Sequence, residues 1–161
     1  MIRKSTIKIQ RNPNGDTRTA PKDVSFEEFS EANNSHIFDV ARVMEKLADR
    51  LAFIGSRHDY TKKVYEREFY SDFKNTLETG SNFVEGQWYK MHVETERHHL
   101  LSRCPEDVNL LDVIEMISDY VCATKTRSGD IPQLEIPVDI LRSAVGNTVK
   151  LIDDMTEVEE I

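Results

Sequence analysis

Cysteine is scarce in this 161-residue chain. The two thiols, Cys104 and Cys122, fall in sequence of helical character, and neither belongs to a CxxC pair. A disulfide framework, a zinc finger and a thioredoxin-type site are therefore unsupported, and two buried or semi-buried thiols in a reducing compartment are expected. No apolar run approaches the roughly 18 residues that a membrane span needs. No apolar stretch follows Met1-Ile2-Arg3-Lys4 either, so the expectation is a cytoplasmic chain without a secretory leader and without a membrane partner. An excess of basic residues is missing too. Lys+Arg total 21 against 29 Asp+Glu, a formal charge of -8 that repels phosphate backbones and argues against a nucleic-acid coat protein. There is no GxxxxGK[ST] loop, no GxGxxG opening and no GxSxG elbow, which argues against P-loop, Rossmann and hydrolase-elbow chemistry. Internal repeats and low-complexity segments are absent.

What is present is mostly helical patterning. The first segment, residues 1–24, differs. Thr6-Ile7-Lys8-Ile9-Gln10 alternates as a strand does, Asn12-Pro13-Asn14-Gly15-Asp16 reads as a turn, and Thr17-Arg18-Thr19 reads as a returning strand, so a small basic hairpin is expected. Residues 25–161 form the helical domain. Ser25 and Glu28 fit a capping box. Helices are expected near 35–54, stopped by Gly55, and near 59–78, 83–100 and 105–124, with a last one starting at about Pro137. The tail Glu157-Val158-Glu159-Glu160 reads as frayed.

The five histidines, His36, His58, His92, His98 and His99, all lie within residues 36–99. Neutral imidazole is a good ligand for first-row divalent metals, and carboxylates complete such sites. Asp112, Glu115 and Asp119 recur at spacings of three and four, which places them on one narrow stripe of a helix otherwise covered by apolar residues. That stripe can face solvent or a metal site. Trp88 reads as core.

The ordered set of His36, His58-Asp59, His92, His98-His99 and Asp119 resembles the HD-domain superfamily of metal-dependent phosphohydrolases, over roughly residues 30–125. The spacing Trp88-x3-His92-x5-His98-His99, followed by Glu115-Met116-x2-Asp119, looks like a small uncharacterised branch of it found in bacteria and their phages. The resemblance implies an all-α, HD-type helical bundle, here with the N-terminal hairpin added. It implies His36, His58, Asp59 and Asp119 as primary ligands of a divalent metal, with His92 and either His98 or His99 holding a second. Lys62, three residues after Asp59, matches a position that lies near the substrate phosphate in many members. Arg97 is a second candidate for phosphate contact. Glu96 or Glu115 is a candidate general base, or orients a ligand histidine. The metal could be Mn, Fe, Co, Zn, Ni or Mg. The HD-GYP tripeptide is missing, so cyclic-dinucleotide hydrolysis is not implied. The implied function is hydrolysis of a nucleotide or another small phosphorylated molecule, in the bacterial host cytoplasm if the chain is phage-encoded. Two alternatives stand beside it: a di-iron oxygenase of the same superfamily, and a non-enzymatic helical binding or assembly protein. A homo-oligomer is compatible with all three.

Overall fold

A computed structural model describes residues 6–159 of the chain. It is mostly helical, with one two-stranded parallel sheet, and it divides into two compact units. The first unit comprises the described residues up to Leu51 together with those from Val149 onward, and the second comprises Ala52–Thr148.

In the first unit, β1 (Ile7–Gln10) pairs in parallel with β2 (Thr156–Glu159), Ile7 lying opposite Thr156. The Ile7 N–H donates to Met155 O at 2.8 Å, and Ile7 and Met155 are both buried. The expected hairpin is therefore corrected. Pro13–Gly15 closes a 3-10 turn capped by the Asn12 side chain, and Thr17–Thr19 is a turn instead of a strand. Proline presets the turn, and Thr19 Oγ1 donates back to Pro13 O at 2.8 Å, which folds the returning segment in place of extending it. The strand finds its partner in the acidic tail, so the described part of that tail is paired and not frayed, with Lys8 meeting Glu159. Glu160 lies outside the described residues.

The longest helix, α1 (Phe26–Arg57), starts at the expected capping box. Glu28 N–H donates to Ser25 Oγ at 3.2 Å, and Ser25 N–H donates to the Glu28 carboxylate at 2.9 Å. Two expected elements are thus one helix, and Gly55 does not end it. A helical glycine costs only about 1 kcal/mol against alanine, and no proline interrupts the chain between Pro21 and Pro105. The left-handed residue that follows the helix is Asp59, at φ 54°.

The second unit holds α2 (Tyr60–Val64), α3 (Glu66–Thr79), α4 (Gln87–Thr95), α5 (Leu110–Arg127) and the first turns of α6 (Val138–Asp153). Gly80, at φ 70°, ends α3 in the left-handed conformation that glycine adopts freely. The Asp72 carboxylate on α3 accepts the Trp88 N–H at 3.1 Å and anchors the first turn of α4. A Cβ on Gly86 would come within 2.7 Å of that carboxylate and 3.1 Å of Phe83 O, so a side chain there would push the Asp72 carboxylate off the Trp88 N–H. The helix expected over 83–100 is shorter. It stops at Thr95, where Glu96 turns extended, and residues 96–109 cross to α5 as linked turns. Likewise α5 begins at Leu110, because Asn109 and Asp112 form a capping box there.

Leu100, Val108, Val113, Met116 and Ala144 form the core that carries this crossing segment. Burying each of the larger aliphatics is worth about 1.5–3 kcal/mol. Asn147 donates to the carbonyls of Glu106 and Val108, and the Leu110 N–H donates to Thr148 Oγ1 at 2.8 Å. The segment bearing His98 and His99 is therefore fixed from both sides. Both cysteines are exposed instead of buried, since each falls on the outer side of its segment.

Candidate metal centre

Six side chains converge within the second unit. They are His58 and Asp59 from the turn before α2, His92 from α4, His98 and His99 from the crossing segment, and Asp119 from α5. They form two overlapping groups, Asp59 with His92, His98 and His99, and His58 with His98 and Asp119, each with ligand atoms within 4.8 Å of one another.

The separations fit a shared cation. Donors bound to one ion at about 2.1 Å lie roughly 3.0–3.5 Å apart in octahedral or tetrahedral arrangements. His92 Nε2 stands 3.4 Å and His98 Nε2 3.6 Å from Asp59 Oδ1, close to that range, whereas His99 Nε2 stands 2.8 Å from His92 Nε2, a hydrogen-bonding distance. On the other side, His58 Nε2 is 3.4 Å from Asp59 Oδ2 and 3.5 Å from Asp119 Oδ1. The two oxygens of Asp59 thus face different histidines.

Hydrogen bonds orient the rings. Thr61 Oγ1 donates to Glu96 at 2.7 Å, so its single proton is used. The 2.6 Å contact to His92 must then be His92 Nδ1–H donating to Thr61, which leaves the His92 Nε2 lone pair turned toward Asp59. Glu96 also accepts the Thr61 N–H at 2.8 Å, tying α2 to the end of α4. The Glu115 carboxylate accepts from His58 Nδ1 at 3.0 Å, which again presents Nε2 inward. Glu115 lies 3.3 Å from His98 Nδ1, without the alignment of a hydrogen bond. This carboxylate-behind-imidazole pattern fixes tautomers at metal sites. Glu96 and Glu115 therefore stand behind the histidines, and Glu115 occupies the orienting position.

Burial and charge act on these groups in opposite directions. Burial, with His98 and His92 nearby, drives the His99 pKa down to about 4, and burial also lowers His92 despite facing Asp59. Both rings are neutral near pH 7. Burial would lower His98 as well, but Glu115, Asp59 and Asp119 outweigh it and raise it. Burial alone would raise Asp59, yet Lys62, His58 and His92 hold it below the usual carboxylate range. Three polar atoms remain buried without a hydrogen-bond partner here, Asp59 Oδ1 and both ring nitrogens of His98. Each such atom costs about 1–3 kcal/mol unless something satisfies it.

Two expected residues are not brought into this group. His36 is exposed on α1, in the first unit, about six turns before the end of that uninterrupted helix. Arg97 is committed elsewhere. Its guanidinium forks onto Asp112 with two contacts of 2.8 Å and reaches Asp107 at 3.0 Å. It acts as a clamp between the crossing segment and α5, so the Asp112 carboxylate is taken up by Arg97 and the helix N-cap, and Glu115 and Asp119 are the acidic residues of α5 that face the histidines. Arg97→Ala is expected to lower stability by about 2 kcal/mol, because Asp112 is left buried and under-paired. Urea titration measures that loss, and an unchanged midpoint would contradict the clamp. Lys62 pairs with Asp59 and also lines the adjoining cavity.

The stacked aromatic column behind the site was not foreseen. Trp88 lies between Phe69 and His92, with ring centroids 4.1 and 4.8 Å away. The spacing of Trp88 and His92, one helical turn apart, is the signal that could have found it.

No protein-family model matches this chain, and no curated protein or solved structure matches it.

Proposed function

We propose that the second unit binds divalent metal and hydrolyses a small phosphate ester, the reading that the resemblance to HD-type phosphohydrolases also favours. The observation that carries it is the convergence of His58, His92 and His98 Nε2 on the two oxygens of Asp59 at 3.4–3.6 Å, with Asp59 Oδ1 and His98 buried and otherwise unsatisfied. A coordinated cation would satisfy these atoms, and a bound divalent ion lowers the pKa of water toward neutrality and polarises a phosphoryl oxygen. Four imidazoles against two carboxylates favour Mn, Fe, Co, Ni or Zn over Mg, which prefers oxygen ligands.

The chain's own residues supply the rest. Glu115 and Thr61 hold the rings in the tautomers that leave Nε2 free. Lys62, beside Asp59, offers positive charge where an incoming phosphate would approach. A nucleotide is the substrate class that the family resemblance implies. The imidazole-rich donor set also suits a di-iron oxygenase, so the metal found decides which assay comes first.

Elemental analysis of untagged protein, with His58→Ala as control, tests the proposal. One or two equivalents of transition metal, reduced in the variant, and phosphate release from a nucleotide panel with Mn²⁺ or Co²⁺ are expected. Protein that stays metal-free after incubation with Mn²⁺, Fe²⁺ and Zn²⁺ would overturn it.

A further inference from the structure

A cavity of about 530 Å³ opens beside the histidines within the second unit. Its walls are largely apolar. Phe69, Phe83 and Trp88 line one side, and Leu100, Met116 and Leu134 line others. Trp88 is buried, and its Nε1–H has no hydrogen-bond acceptor among the described residues. Walls of this kind suit a ligand whose middle is apolar, with its charged groups confined to the ends.

Helix α5 runs along this cavity. Asp119, Ala123 and Arg127 all line it, at spacings of four that keep them on one face. Asp119 stands at the metal-ligand end, 3.5 Å from His58. Arg127 lies eight residues further, about 12 Å along the axis. The two cavity cations differ in their commitments. Lys62 is paired with Asp59, whereas the Arg127 guanidinium makes no hydrogen bond or ion pair among the described residues. Arg127 is exposed in the last turn of α5, so its guanidinium is free to reach an anionic group at the end of the apolar wall.

We propose that this cavity selects an elongated ester, whose phosphate sits at the histidines, whose flat apolar middle lies against the aromatic wall, and whose far end carries a second anionic group held by Arg127. The inference rests on the metal-hydrolase reading and deepens it. In turnover, water adds to phosphorus, the ester P–O bond breaks, a proton of that water passes to the departing oxygen, and the resulting apolar alcohol stays held at its anionic end until it is released.

The test uses biphenyl-4-yl phosphate and its 4′-carboxy derivative, with the matching non-hydrolysable methylenephosphonates for binding. Trp88 is the one tryptophan, so its fluorescence reports occupancy of this cavity. The carboxylated phosphonate should bind about tenfold more tightly than the plain one. Arg127→Ala should erase the preference, and Arg127→Lys should keep part of it. Equal affinity for the two ligands, or a preference that survives Arg127→Ala, would overturn the pocket assignment. Phosphate release from both esters without a carboxylate preference would sink this inference and spare the hydrolase reading. An Arg127-dependent preference without phosphate release under any metal would do the reverse.

Discussion

Asp59→Asn is expected to strip the metal from the second unit and to lower any hydrolytic turnover by about a thousandfold or more. The substitution is chosen for its backbone. Asp59 sits at φ 54°, ψ 32°, in the left-handed region, where a β-carbon is strained and asparagine is tolerated best among non-glycine residues. Alanine there would mix a conformational cost with the loss of the ligand. Asparagine keeps the shape and removes the charge, on the one side chain whose two oxygens face both histidine groups. It also releases Lys62 from its ion pair and removes one of the carboxylates that raise His98. Elemental analysis, initial rates and a far-ultraviolet spectrum together give the answer. Retention of full metal content by a folded Asp59→Asn protein would show that Asp59 is not a ligand.

The parts of this picture that were legible in the sequence are local ones. Ser25 and Glu28 cap α1 because the motif needs only residues three apart. The phase of Glu115 and Asp119 on α5 follows from helical periodicity, and both do reach the histidines. What stayed hidden depends on partners far along the chain. β1 pairs with β2, separated by nearly the whole sequence, so a local turn signal pointed to the wrong partner. Arg97 looked free because Asp112 and Asp107, its partners, belong to the start of α5 and the segment before it. His36 fitted an ordered motif, but α1 is continuous through Gly55. His98 and His99 could not be told apart by spacing. The fold gives them different surroundings, with His98 1% exposed and facing Glu115, and His99 against His92.

Metal bound at the proposed centre should stabilise the second unit. An ion at about a hundredfold excess over its Kd adds about 2.7 kcal/mol to the native state. For a unit of about a hundred residues that corresponds to a rise in Tm of more than about 10 °C. The pH dependence of this increment carries a sign. Each ligand imidazole must be unprotonated to bind, so protons compete with metal. His99, at about pH 4, offers no competition near neutrality, whereas His98 is raised above its ordinary 6.5 by the carboxylates around it. The metal-dependent increment is therefore present above the His98 pKa and is lost as pH falls through it. Without metal the same raised pKa works in the opposite direction. His98 then contributes stability below its unfolded value, and that contribution disappears as pH rises through the folded one. His99, with a lowered pKa, makes the metal-free unit less stable as pH falls from 6.5 toward 4. Calorimetric scans with Mn²⁺ or with a chelator, between about pH 8 and about pH 5, should show the two curves converging on the acid side. An increment that stays constant across that range would mean that His98 is not a ligand, and that the buried histidines serve packing instead of metal.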